Sequence, residues 1–308
     1  MSSAAAAGTI KVAFGDIASI EQLNLLIAFE RVKERGVTVQ PTFFKSEDLA
    51  AQAVVGKQAD VGIGTPYALL QKVKAPIRMF YQISNLRFYP VVNTEFYKDW
   101  KDLDGQEFAV HSRGSGTEAI MNLMAQKHGI KFSNLSYVPG AEVRAGALLQ
   151  GNVKATIVDS SALRLVKEKG GDKFKALEMG DINATDEGLY ANMAFLEKSA
   201  ADVAVLVEEL LKTQREINKD PAAVVRLRAQ YKLLPDLPKD LEGEVQPYFD
   251  DAVAAKLYPD DGGSAAAVKS DFEFYTVAGQ LKGEPSSLKT EDFWTFEPLE
   301  KARAALGS

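Results

Sequence analysis

The sequence predicts an α/β protein of two domains, each built on a largely parallel sheet. Three observations carry that reading. Strand-like and helix-like patterns alternate, the links between them are short, and the series starts afresh after a charged turn at 98–105. With 308 residues the chain can bury two cores of ordinary size.

The elements follow in order. Residues 10–14 are a short apolar run broken by Gly15-Asp16, and 20–35 place Ile20, Leu23, Leu26, Ile27 and Phe29 at helical spacing before Gly36. Residues 37–44 alternate as a strand. A helix over 47–55 has Ser46 as its N-cap and Gly56 at its end, 61–64 is a buried strand, and 66–72 opens a further helix. In the second series, strands are expected at 107–111, 135–138 and 155–159, and helices at 117–128 and 142–150, closed by Gly129 and Gly151. The segment from Gly56 to Thr65 can be laid on that from Gly151 to Ser160, a structural echo rather than a sequence repeat. Beyond Tyr190 the pattern is mainly helical, over 200–218, 221–231, 238–257 and 264–281. That tail is too long and too apolar to hang free, so it is expected to return to the first domain.

Composition removes several function classes. There is no cysteine and histidine occurs twice, at His111 and His128, which excludes disulfide scaffolds, thiolate zinc sites and cysteine nucleophiles. A net charge of −6 offers no basic surface for nucleic acid. No apolar stretch approaches the ~18 residues of a membrane span. Ser2-Ser3-Ala4-Ala5-Ala6-Ala7-Gly8 has the small-residue character found around signal-peptidase sites. Met1 is accordingly read as a start replacing a removed export signal, and Gly307-Ser308 as a cloning scar; a frayed Ala-rich terminus is the alternative.

Four features together carry a family resemblance. They are Lys11-Val12-Ala13-Phe14-Gly15-Asp16; Gly56-Lys57-Gln58-Ala59-Asp60-Val61-Gly62; Leu103-Asp104-Gly105-Gln106-Glu107-Phe108-Ala109-Val110 with its following loop; and Asn192-Met193-Ala194-Phe195-Leu196 leading to a helix that ends at Asn218-Lys219-Asp220-Pro221. In this order the chain resembles the substrate-binding components of ATP-binding-cassette importers for nitrate, taurine, alkanesulfonates and pyrimidine precursors. The resemblance implies a type II periplasmic-binding-protein fold: two Rossmann-like lobes, mostly parallel sheets and a two-stranded hinge. Lobe one is then residues 1–88 plus 192–308 and lobe two 93–187, with hinge strands near 88–92 and 189–193. It implies a periplasmic, monomeric receptor that hands a small solute to a transmembrane permease, without cofactor, metal or nucleic acid. Lys154 stands where relatives often carry an acid, at a helix–strand turn away from the ligand.

In open α/β sheets ligands sit outside the carboxyl ends of the strands. Four loops therefore face the cleft, and they contain Gly15, Asp16 and Ser19; Thr65, Pro66 and Tyr67; Ser112, Arg113, Gly114, Ser115, Gly116 and Thr117; and Asp159 and Ser160. Each opens a helix, where free N–H groups and the helix dipole favour a negative group. Arg113 is the expected bidentate clamp for a carboxylate or sulfonate, with Arg87, preceded by Asn85, as a second. Tyr190, Tyr67, Phe88, Tyr89 and Phe14 are the candidate aromatic contacts, or else core. The expected ligand is a small organic anion, a carboxylate or sulfonate, with or without an aromatic ring. Asp16 and Asp159 either cap helices or face the ligand, in which case a zwitterion or a hydroxylated or heterocyclic solute fits better. An enzyme on the same fold, acting on a pyrimidine-like or carboxylate metabolite, is the alternative. A His111–Ser115–Asp159 triad is disfavoured because no nucleophile-elbow context surrounds it.

Overall fold

The computed structural model describes residues 8–73 and 75–307. The small-residue segment Ser2–Ala7 and Ser308 lie outside the described residues. The strands of the first half are β1 (Thr9–Phe14), β2 (Thr38–Phe43), β3 (Val61–Gly64), β4 (Ile77–Asn85) and β5 (Tyr89–Asn93). They are followed by β6 (Glu107–Val110), β7 (Asn134–Tyr137), β8 (Ala155–Val158), β9 (Phe174–Ala176) and β10 (Thr185–Asn192). The helices among them are α1 (Leu23–Glu34), α2 (Glu47–Val55), α3 (Tyr67–Val73), α4 (Gly116–His128), α5 (Ala141–Leu149) and α6 (Ser160–Gly170). After β10 come α7 (Met193–Lys198), α8 (Ala200–Lys219), α9 (Ala223–Tyr231) and α10 (Lys239–Glu242). The chain closes with α11 (Val245–Ala254), α12 (Ala265–Val277), α13 (Thr290–Phe293) and α14 (Glu297–Leu306).

Two five-stranded sheets organise these elements, in the orders β2-β1-β3-β10-β4 and β7-β6-β8-β5-β9. The orders match place for place, which is the echo that the sequence halves showed. In each sheet the first three strands pair in parallel, as in Val12 with Val61 and Ala109 with Thr156. The fourth strand, β10 or β5, is antiparallel to both neighbours. It is in each case the strand that has just arrived from the other sheet, so the sheets are mixed where a largely parallel arrangement was expected.

The chain crosses between sheets twice, through residues 86–88 and 177–184. The crossings lie side by side, with Leu86 N–H donating to Ala184 O at 2.8 Å and Leu177 N–H to Pro90 O at 2.8 Å. This moves both expected hinge strands. Residues 89–92 pair with β8 inside the second sheet, and residues 189–192 pair with β3 and β4 inside the first, where Leu189 and Ala191 are fully buried. Their apolar character reports that burial, not a hinge.

Burial explains the layers. Val203, Leu206, Val207, Leu210 and Leu211 of α8 repeat at helical spacing and pack, with α1 and α14, on one face of the first sheet. On its other face lie α2, α3 and the buried residues of α12 and α13, so the helical tail returns to lobe one. Lobe two closes its own core with Ala145, Leu148, Ala162 and Val166 against Val91 and Val158. The helix expected over 238–257 breaks at Gly243, a poor helix residue, into α10 and α11. Local signals hold elsewhere: Ser46 Oγ accepts from Leu49 N–H at 3.3 Å, and Gly129 ends α4 at φ +63°. At the end of α2 it is Lys57, φ +59°, and not Gly56, that takes the left-handed conformation. Lys154 stacks over the Phe96 ring at 4.2 Å, away from the interlobe space. No helix among the described residues is long and apolar enough to cross a membrane.

Candidate functional site

The carboxyl ends of β1 and β3 face that of β6 across a small cavity between the sheets. It is lined by Asp16, Glu21, Glu47, Asp186 and Glu187, by His111 and Arg144, and by Gly15, Ile63, Phe88, Ser115, Gly116 and Thr117. About 30 Å3 of it is open to the centre of a water molecule, room for about two waters.

Contacts already span the cleft. The imidazole of His111 is within 2.9 Å of Gly15 O, so Nε2 carries the proton and donates to that carbonyl. Nδ1 is left buried with no hydrogen-bond partner, 3.8 Å from Asp16 Oδ1. Nearby, Glu47 N–H donates to Ser112 Oγ at 3.4 Å. Burial lowers the His111 pKa, with Arg144 acting the same way and Asp16 opposing, which keeps the ring neutral at pH 7.

One wall is acidic. Asp16 follows β1, Glu21 stands in the 3-10 turn Ile20–Gln22, Glu47 begins α2, and Asp186 and Glu187 begin β10. All five are half-buried, and among the described residues none has a cationic side chain within 4 Å. Asp16 Oδ1 accepts from Ile17 N–H at 2.6 Å and Glu47 Oε2 from Thr65 N–H at 3.3 Å. Glu47 fits because residue 64 is glycine: its φ is +136°, and a Cβ there would lie 2.7 Å from Oε2. Burial, reinforced by Glu187 and Asp16, pushes the Glu47 carboxyl up to about 8. Burial and then Asp16 do the same to Glu187, also to about 8. Glu21 and Asp186 are raised well above the carboxylate range, by burial first and by neighbouring acids second. Among the described residues no cluster of three or more acids or histidines is disposed to hold a metal ion.

The opposite wall belongs to lobe two. Ser115 caps α4: its hydroxyl donates to Ser112 O at 2.7 Å, accepts from Glu118 N–H at 3.3 Å, and lies 2.9 Å from Thr117 Oγ1. Thr117 Oγ1 accepts from His111 N–H at 3.0 Å, locking strand end to helix start. Behind them Arg144, 2% exposed, donates from Nε to Ile157 O and from Nη1 to Val138 O, each at 2.8 Å.

Of the residues singled out from sequence, Gly15, Asp16, Ser115, Gly116 and Thr117 line this cavity, as does Phe88. Others do not reach it. Arg113 is exposed, lies over the Tyr137 ring at 5.7 Å, and lines a neighbouring depression with Glu47 and Thr65. Arg87 is exposed with Nε 3.3 Å from Tyr89 Oη. Tyr67 is core: its hydroxyl donates to Asp271 at 2.6 Å and accepts from Trp294 Nε1 at 2.8 Å. Tyr190 packs on Gly62, where a Cβ would come within 2.1 Å of its ring. Phe14 is fully buried against Phe29 and Phe43. Ser19 is buried, its hydroxyl on Gln22 Oε1 at 2.8 Å. Thr65 Oγ1 lies 3.2 Å from the Tyr275 hydroxyl, which donates to Thr185 O at 2.6 Å, and Thr65 lines that neighbouring depression with Pro66 and Gly114. Asp159 caps α6 by accepting from Ala162 N–H at 2.7 Å, and it lines a second depression with Ser160 and Tyr89. With Asp159 so placed and His111 Nε2 on Gly15, the three triad residues are engaged elsewhere.

Glu21, Glu47, Asp186, Glu187 and Arg144 were not found from sequence. Arg144 had a signal: it shares the buried face of α5 with Ala141, Ala145 and Leu148, where a charge is out of place.

Two mixed sheets, crossed twice and enclosing a polar cavity at their strand ends, define the periplasmic-binding-protein fold, which solved structures share. The chain belongs to the NMT1/THI5-like family, whose model matches residues 32–224. A protein of Bordetella bronchiseptica is similar at 22% identity, with 98% of each chain covered and a TM-score of 0.78. So is the ligand-binding component of an ABC-type import system from Staphylococcus aureus, solved with zinc bound, at 16% identity, 96% of this chain, 99% of that one and a TM-score of 0.69. The alkanesulfonate-binding protein SsuA from Xanthomonas axonopodis pv. citri, bound to MOPS, shares 15% identity over 91% of this chain and 96% of its own, with a TM-score of 0.68. No curated protein sequence matches the chain.

Proposed function

We propose that the protein is an extracytoplasmic solute-binding receptor, not an enzyme, which closes two lobes on a small molecule and presents it to the permease of an ABC-type importer. The fold supports this reading, as does the role of the Staphylococcus aureus ligand-binding component that shares it. Closure follows from geometry. The cavity lies between lobes joined by two short crossings, and a solute touching both walls favours the closed form.

The acidic wall carries the choice of ligand. Five half-buried carboxyl groups converge on the cavity, and the two arginines expected to clamp an anion lie outside it. We therefore assign the solute a protonated nitrogen, or several N–H donors, in place of the simple organic anion expected from sequence. Such a group supplies the positive charge that buried acids lack and returns them to the ionised state.

The test is a thermal-shift screen of amines, amino acids, amino-heterocycles, carboxylates and sulfonates. Solutes with a basic nitrogen should raise the melting temperature. In the double variant Asp16→Asn, Glu187→Gln their affinity should fall roughly 100-fold, through the loss of two charge-assisted contacts. Stabilisation by anions alone, unchanged in that variant, would reverse the ligand assignment. Turnover of a bound solute would move the protein to the enzyme class.

A further inference from the structure

Arg144 is a buried cation without a counter-ion. It is 2% exposed, it lines the cavity, and among the described residues no carboxylate lies within 4 Å of it. Its two hydrogen bonds, to Ile157 O and Val138 O, occupy Nε and one Nη1 hydrogen, and both acceptors are neutral carbonyls. A guanidinium withdrawn from water needs an anion, because neutral carbonyls do not replace the lost hydration of a full charge. Asp16 and Glu21 act on it electrostatically from beyond contact distance. The cation and the acidic wall thus face each other across the cavity without meeting.

The start of α4 differs from Arg144. Gly116 and Thr117 bring its first turn to the cavity, but a Cβ on Gly116 would lie 2.9 Å from Asp186 Oδ1, so the acidic wall already meets this helix start and Arg144 is the cation left unmatched. His111 Nδ1, buried and unpartnered, marks the boundary between the two ends. As a neutral acceptor 3.8 Å from Asp16, it extends the acidic wall toward a donor group on the ligand.

We propose that the solute is a small zwitterion. Its ammonium end lies against Asp16, Glu47, Glu187 and His111 Nδ1, and its carboxylate or sulfonate end is held by Arg144. This rests on the receptor reading above and adds the anionic half of the ligand to it. One molecule then neutralises both walls, and its contacts to the two lobes draw them together.

The experiment is calorimetric titration with three probes of one chain length: γ-aminobutyrate, n-butylamine and butyrate. The aminosulfonate homotaurine tells a sulfonate end from a carboxylate end. The zwitterions should bind at least ~30-fold more tightly than butylamine, the scale of one lost charge-assisted pair, and butyrate should not register. Arg144→Gln should collapse the ratio of zwitterion to amine affinity toward one, and Arg144→Lys should restore it in part. Should Arg144→Gln fail to fold, the wild-type ratios decide alone. Equal affinity for amine and zwitterion would overturn the proposal and leave the receptor standing, as would a ratio unmoved by Arg144→Gln. Failure of every basic solute to bind would remove both.

Discussion

The loops after β1 and β6 occupy the same place in two sheets of identical strand order, yet their chemistry is opposite. Gly15-Asp16 opens the acidic wall, together with Glu21, Glu47, Asp186 and Glu187. His111–Thr117, backed by Arg144, presents hydroxyls, a helix N-terminus and a guanidinium. The topology places both loops at the cleft because ligands in such sheets lie beyond the strand ends. It does not decide what the loops say. Two walls of one polarity would hold a solute in either direction, whereas walls of opposite polarity orient it. The support behind them differs as well. Arg144 is held by two backbone carbonyls of its own lobe, while the head of β10 is tied to the C-terminal helices through side chains.

The strongest way to break this contrast is to release the head of β10. Asp271 is fully buried and accepts from Thr185 N–H and from the Tyr67 hydroxyl, each at 2.6 Å. Thr185 immediately precedes Asp186 and Glu187, so Asp271 positions half of the acidic wall. Asp271→Ala should cost about 3 kcal/mol in denaturant unfolding, because it strands two buried donors. It should also loosen binding of basic solutes; unchanged stability would show that the network is dispensable.

The pH dependence of stability sharpens the contrast next. Glu47 and Glu187 hold their protons up to about 8 in the folded chain, against an ordinary value of 4.5. Between those limits the folded state binds more protons than the unfolded one, so stability falls as pH rises. The ligand-free melting temperature should drop by roughly 5 °C from pH 5 to pH 8, and Glu47→Gln with Glu187→Gln should flatten that slope. A saturating basic solute should flatten it too, by supplying charge to the ionised acids. A rising slope in the same window would show that the acidic wall is ionised and solvated.

The smallest effect concerns closure. Arg164 of α6 reaches across to lobe one, pairing with Glu244 at 2.7 Å and with Asp251, and Lys169 meets Asp240 at 2.7 Å. These groups are partly exposed, so Arg164→Ala should weaken the closed form by only about 1 kcal/mol, and by less at about 0.5 M salt. Small-angle scattering of the free chain should show a modest shift to wider lobes. No change at low salt would mean that the interlobe core around Leu165 suffices.

Much of the fold was legible because its signals are local. Ser46, Asp159 and Gly129 terminate helices through bonds made within four residues, and each lies where spacing predicted. For Asp159 the bland role of helix cap is the one observed. The acidic wall was illegible for the opposite reason. Glu21 and Glu47 each look like an ordinary acid in a first helical turn, where the dipole favours one. Only the fold brings them to Glu187, more than a hundred residues away.

The second hinge strand was misplaced because a run such as Leu189-Tyr190-Ala191 reads the same whether it crosses between lobes or fills a sheet. Arg113 looked like a clamp because its sequence neighbours suit one. In the fold its side chain lies over the Tyr137 ring and beside a depression shared with Glu47, neighbours that no spacing rule reports.

By itself the sequence determined the two-lobed α/β organisation, most of the helix ends, and two loops, after β1 and β6, that line the cavity. These follow from periodicity, caps and glycine stops, each written in a few neighbouring residues. The tertiary structure alone decided the polarity of the cleft. Electrostatic character belongs to the groups gathered in space, and burial then sets whether each of them keeps its proton.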